Sequence, residues 1–239
     1  MRKNYFIVAV LLLTVFNCSS QDLDALFKSG NAKKANKDWD GAIGDYTKVI
    51  KLDGNNATAF FNRASCNSEK KDYVKATPDY TKVIELSKDG KQKSKAFYFR
   101  AICNKNHKKT KEAIADYNSA TEIDTTFAEA FLGSAQLKSS TNDHKGAIAD
   151  FNKVIQFNPK NHQIYYLRAS SYNRIGQSDK VLEDCTKALE IKADYTPAMN
   201  LRANINYSIG NKQIACDDWK KSSGLGDKTA TQMVAQYCK

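Results

Sequence analysis

Ala42-Ile43-Gly44-Asp45-Tyr46 returns along the chain in altered forms. They are Ala76-Thr77-Pro78-Asp79-Tyr80, Ala113-Ile114-Ala115-Asp116-Tyr117, Ala147-Ile148-Ala149-Asp150-Phe151, Val181-Leu182-Glu183-Asp184-Cys185 and Ala215-Cys216-Asp217-Asp218-Trp219. The first residues lie 34, 37, 34, 34 and 34 positions apart, and so regular a period marks a repeat array. Twelve residues before each stands a tiny residue, Gly30, Ala64, Ala101, Ala135, Ala169 or Ala203. Four before those stands a large apolar one, Leu26, Phe60, Phe97, Phe131, Tyr165 or Met199. Residues four apart are neighbours on a helix surface, so each unit pairs a knob and a hollow on one helix with a small residue and an aromatic on the next. The tiny residues let the axes approach and the aromatics fill the remaining space. Each unit is therefore expected to be a helical hairpin.

Composition agrees with an all-α chain. Of 239 residues, 41% are apolar and 26% charged, enough to bury a core. Three prolines and 11 glycines leave little material for the turns of an all-β domain.

The order of large, small, Ala and aromatic residues in a 34-residue unit resembles the tetratricopeptide repeat family. The resemblance covers residues 23 to about 229, with units at 23–56, 57–90, 94–127, 128–161, 162–195 and 196–229. It implies a right-handed α-solenoid of six hairpins, closed by a capping helix at 230–239, where Met233, Val234 and Tyr237 stand at helical spacing. The family's helix-ending proline survives only as Pro159, and Lys91, Gln92 and Lys93 are extra, expected to lengthen a basic loop. Pro78 falls near the start of a second helix, where its cost depends on where that helix begins.

The resemblance also implies a binding role, with first helices lining a groove for a peptide or partner protein. The residues after the knobs, Phe27, Phe61, Tyr98, Leu132 and Tyr166, serve either packing or ligand stacking. Of the positions that hold acidic chaperone tails in some family members, Asn31, Asn62 and Lys95 match. Phe27 and Phe99 replace the other cations, which removes most of the carboxylate attraction. By the same resemblance Cys216 and Cys238 staple the cap to the last hairpin, with two inert thiols as the alternative. One Asp per unit precedes the aromatic position, and Arg63, Arg100, Arg168 and Arg202 precede the small one. Repeated ion pairs that fix stacking are the expected role, with Asp45 to Arg63 as the example.

Residues 1–20 differ from the rest. Arg2 and Lys3 precede an apolar run from Tyr5 to Phe16, short for a bilayer span and suited to a secretory signal, so the chain is expected to be exported to the periplasm or envelope. Two processings are open. Cys18 and Ser20 suit ordinary cleavage before Gln21, while Val15-Phe16-Asn17-Cys18 resembles a lipobox that would lipidate Cys18 and anchor the protein as an accessory subunit. Cys66, Cys103 and Cys185 fall in helical patterns as packed thiols.

The net charge is +11, and residues 69–111 alone hold 13 Lys and Arg against five acids, a net of +8. A solvated basic face explains this, as does a docking surface for an acidic partner or anionic lipid, with Lys88, Lys91, Lys93 and Lys95 as the candidate basic loop. Nucleic acid does not fit an exported chain. His107, His144 and His162 lack ligand spacing and read as solvated turn residues. With no phosphate loop, nucleophile elbow or paired-cysteine motif, no enzyme, metal or cofactor is expected, although a site assembled from distant residues escapes such a scan.

Overall fold

The computed structural model describes residues 22–239, which form thirteen helices and no strand among the described residues. The expectations for 1–20, including Cys18, lie outside this range. The chain divides into two compact units, the first ending at Thr125 and the second spanning Thr126–Lys239. The first holds α1 (22–35), α2 (Trp39–Leu52), α3 (Ala57–Glu69), α4 (Tyr73–Leu86), α5 (Gly90–Asn106) and α6 (Thr110–Ile123). The second holds α7 (Ala128–Ser140), α8 (His144–Phe157), α9 (His162–Arg174), α10 (Ser178–Ile191), α11 (Thr196–Ser208), α12 (Lys212–Gly224) and α13 (Lys228–Tyr237). Odd and even helices pair as three hairpins per unit, each packed against the next, and α13 covers α12.

The small-against-bulky pattern is the core. Ala42, Ala76, Ala113, Ala147, Val181 and Ala215 are fully buried, as are Ala64, Ala101, Ala135, Ala169 and Ala203. Tyr46, Tyr80, Tyr117, Phe151, Cys185 and Trp219 are at most 1% exposed. At Gly30 even a methyl group is too much, since a Cβ would fall 2.9 Å from the Tyr46 ring. Cys66, Cys103 and Cys185 are buried free thiols, and burial pushes the Cys185 thiol up to about 12, far from the reactive thiolate.

The repeated acid is also buried in five hairpins and half-buried at Asp150, and each one is answered by a cation of its own hairpin. Arg63 Nε and Nη2 donate to Asp79 at 2.8 and 2.7 Å. Arg100 does the same to Asp116, Arg168 to Asp184 and Arg202 to Asp218, all at 2.6–3.0 Å. The third arm of each guanidinium, Nη1, reaches the preceding hairpin of the same unit, at Thr47, Thr81, Asn152 and Thr186. Arg63, Arg100 and Arg168 also lie over the ring of the knob three residues earlier. Contrary to the expectation from the sequence, Asp45 is not the partner of Arg63, which grips Asp79 instead. The bonds to Asp45 come from Lys33 and Ser29, both at 2.6 Å.

That exception repeats. The first hairpin of each unit has Ser where the others have Arg, at Ser29 and Ser134, and a Lys one turn later, Lys33 to Asp45 and Lys138 to Asp150 at 2.8 Å. Burial raises the Asp45 carboxyl, and the bonds from Lys33 and Ser29 more than reverse this, so it sits below its ordinary value. A lysine has no third arm to send to an earlier hairpin, and in neither case is there an earlier hairpin within the unit.

The turns inside the hairpins share one design. In each, the residue after the C-cap has positive φ, and the residue beyond it sends its N–H back to close the helix end, as Asp38 does to Lys33, Asp72 to Asn67 and Asp143 to Lys138. The same Asp then caps the following helix, Asp38 accepting from Gly41, Asp72 from Lys75 and Asp143 from Gly146. Three residues thus end one helix and start another. The left-handed position is Asn142, Gly176 and Gly210 in the second unit, residues that suit it, but Lys37, Lys71 and Lys108 in the first, at φ 61°, 60° and 58°. A residue with a Cβ costs about 1 kcal/mol there.

Lys88, Lys91, Lys93 and Lys95 do not make up a loop. Asp89 caps Lys91 at 2.9 Å and α5 begins at Gly90, so the three extra residues add a turn to a 17-residue helix and only Lys88 remains in the connection. Ser87 and Thr58 hold Gln92 from either side, at 2.7 and 3.1 Å, which fixes that turn. Pro78 is the sixth residue of α4, past the first turn, so its missing N–H does remove a helix bond.

At the C-terminus Met233, Val234 and Tyr237 pack on Trp219 and Ala215, and a Cys216–Cys238 disulfide ties α13 to α12. It closes a loop of sequence separation 22.

Two outcomes follow for stability. Asp116→Ala strands Arg100, whose side chain is 21% exposed, and is expected to lower the urea unfolding free energy by about 3 kcal/mol, whereas Lys82→Ala, which breaks the exposed pair with Glu85, should change it by under about 0.5 kcal/mol. Replacing Cys216 and Cys238 together by Ser is expected to cost about 3 kcal/mol from restored chain entropy, and limited proteolysis should then cut first at α13.

Candidate functional site

In the first unit α1, α3 and α5 bring most of the expected groove residues onto one connected surface. Phe27 meets Tyr46 edge-on at 5.8 Å. The Tyr46 hydroxyl donates to Asn31 Oδ1 at 2.8 Å, and Asn62 Nδ2 donates to the same oxygen at 3.3 Å, so a buried tyrosine on α2 orients two amides on neighbouring first helices. Lys34 Nζ donates to Asn62 Oδ1 at 3.2 Å. Asn31 is exposed, and its amide nitrogen has no partner among the described residues. Of the chaperone-clamp positions, therefore, Asn31 and Asn62 bond to each other.

An aromatic chain continues from there. Phe61 lies edge-on to Tyr80 at 5.6 Å and to Phe99 at 5.7 Å, Phe99 stacks on Tyr80 at 5.8 Å, and Tyr98 meets Phe99 at 5.1 Å and Tyr117 at 5.9 Å. Phe61, Tyr98 and Phe99 are half-buried, so each contributes one face to packing and leaves one edge outward. These contacts show the packing role expected for Phe61 and Tyr98. Lys95 is exposed on α5 and makes no ion pair. Phe99 was read from the sequence only as a missing cation. The signal for its role was the run Phe97-Tyr98-Phe99, three aromatics where one knob suffices.

In the second unit Tyr166 lies against Tyr195 at 5.6 Å, and His162 against the same ring at 4.6 Å. Leu132 packs on the cluster around Phe151. His162 and His144 are half-buried rather than solvated, both in the first turn of a helix, and the Tyr195 ring covers His162. His107 is exposed, with its ring against Tyr73 at 6.1 Å.

A cleft of about 650 Å³ lies elsewhere on the second unit, among Ile155, Tyr165, Leu182 and Lys187. Its buried charges, Arg168 and Asp184, already satisfy each other. Among the described residues no set of three His, Cys, Asp or Glu side chains converges on a metal position, and no helix is long and apolar enough to cross a membrane.

Models of the tetratricopeptide repeat match residues 24–56, 128–161 and 162–195. DnaJ homolog subfamily C member 3 from Bos taurus is 35% identical over 75 residues, 31% of this chain and 15% of that protein, so the match spans a small part of the relative. Among solved structures, MamA is 25% identical and superimposes with a TM-score of 0.67 over 74% of this chain and 96% of its own. YrrB, described as a TPR protein with an unusual peptide-binding site, shares the fold at 20% identity and a TM-score of 0.64, over 73% and 88% of the two chains. Matched repeats in both units, set in consecutively packed helical hairpins, show that this chain carries tetratricopeptide repeats.

Proposed function

We propose that the protein is a non-catalytic interaction scaffold that takes an extended peptide or partner segment on the first-helix face of its first unit. The observation that carries this is the Tyr46–Asn31–Asn62 arrangement. A tyrosine at 0% exposure holds an exposed amide in one orientation with its donors unspent, and such an amide bonds the backbone of any extended chain. The outward edges of Phe61, Tyr98 and Phe99 add apolar contact beside it. YrrB is described as binding peptide, which is in keeping with this reading, though the likeness to it extends only to the fold.

Export belongs to the same proposal and rests on residues 1–20 alone. Mass spectrometry of the mature N-terminus separates cleavage before Gln21 from acylation at Cys18, the form in which the scaffold would be an anchored accessory subunit.

The binding face is tested by panning a random-peptide phage library on the full chain and measuring the recovered peptides by calorimetry. Asn31→Ala with Asn62→Ala is expected to weaken them at least tenfold, about 1.4 kcal/mol; because Asn31→Ala leaves the buried Tyr46 hydroxyl without its acceptor, at a cost of about 1–3 kcal/mol, binding is compared well below both melting temperatures. Recovery of no peptide, or peptides indifferent to both substitutions, would remove the proposal.

A further inference from the structure

The three hairpin turns of the first unit lie along one edge, and that edge is made of lysine. The turn triplets are Asn36-Lys37-Asp38, Lys70-Lys71-Asp72 and His107-Lys108-Lys109. Contacts run between neighbouring turns: Lys70 pairs with Asp40 at the start of α2, and the Tyr73 ring meets His107. The equivalent triplets of the second unit, Thr141-Asn142-Asp143, Ile175-Gly176-Gln177 and Ile209-Gly210-Asn211, carry no cation. The two acids of the triplets, Asp38 and Asp72, are turned to their helix N-termini as caps, Asp40 is taken up by Lys70, and Lys37, Lys71, Lys108 and Lys109 are exposed without an ion pair among the described residues.

The choice of residue at the centre of each turn works against stability. All six turns need positive φ at one position, and the second unit meets the need with Asn, Gly and Gly. The first unit places Lys there three times in succession, accepting backbone strain and mutual repulsion along the edge. Strain of this kind persists where a local function requires the side chain.

We propose that this edge rests on an anionic lipid surface. Nothing along it selects a shape: the cations are lysines, compact hydrated point charges, without the planar fork that reads a discrete carboxylate. A row of such charges at the ends of packed hairpins answers charge density spread over a plane. Val74, 70% exposed in the first turn of α4, lines one hollow with His107 and Lys109, at the level the headgroups would occupy. This surface is separate from the peptide face and does not depend on it.

Sedimentation of the full chain with phosphatidylcholine vesicles, with and without about a third phosphatidylglycerol, tests the proposal. Binding is expected only to the anionic vesicles and is lost in high salt. Lys37→Gly, Lys71→Gly and Lys108→Gly together should weaken it about 100-fold, at about fivefold per lysine, while the melting temperature stays level or rises because glycine suits positive φ. Lys145→Ala, Lys153→Ala and Lys160→Ala, which remove as many charges from the second unit, should change binding less than about threefold. The proposal falls if anionic vesicles are not bound, if the two triple variants bind alike, or if the chain binds soluble polyglutamate and leaves the vesicles in solution.

Discussion

A carboxylate buried between two helices must meet a cation or give up its charge, and five of the six described hairpins bury one. Desolvating Asp79, Asp116, Asp184 or Asp218 is tolerable only because a guanidinium of the same hairpin grips it through two parallel bonds. The same guanidinium has one donor to spare, and that donor reaches the preceding hairpin. Pairing inside a repeat and stacking between repeats are thus one interaction seen from two sides. Where a unit begins there is no earlier hairpin within it to hold, and the acid is served by Lys33 with Ser29 at Asp45 and by Lys138 at Asp150.

With the frame held by buried pairs and by the small-against-aromatic fit, the surfaces are free to differ. The Tyr46 hydroxyl belongs to the core by its ring and to the surface by its bond to Asn31. Phe61 and Phe99 likewise pack on Tyr80 with one side and face outward with the other. Recognition on such a face requires little movement, since the groups that would meet a ligand are set by residues that cannot shift without opening the hairpin. The turn edge is controlled differently: backbone hydrogen bonds close every turn and an Asp side chain caps the next helix in three of them, so the other side chains there vary without disturbing the core.

Much of this was legible in the sequence. The alternation of Phe60 with Ala64 and of Ala76 with Tyr80 is a packing statement about residues a turn apart, and it specifies helical hairpins directly. The groove candidates were legible as positions but not as contacts. Phe27 follows a knob, yet nothing in the order of residues states that the Tyr46 hydroxyl rather than a ligand fills the need of Asn31. Lys91, Gln92 and Lys93 looked like an insertion in a loop because they break the period, whereas Asp89 caps them and the helix simply starts a turn earlier. Capping competes at the scale of single hydrogen bonds, below what periodicity resolves.

By itself the sequence determined the repeat, its helical character and the identity of the core, because these depend on interactions within about a turn of helix or across one hairpin. Only the tertiary structure decided which cation answers which acid. Arg63 stands 16 residues from Asp79 and 18 from Asp45, and either spacing fits a periodic chain. The relative placement of helices from successive hairpins, which is set by how closely alanine and glycine let their axes approach, brings the guanidinium to one and leaves the other to lysine.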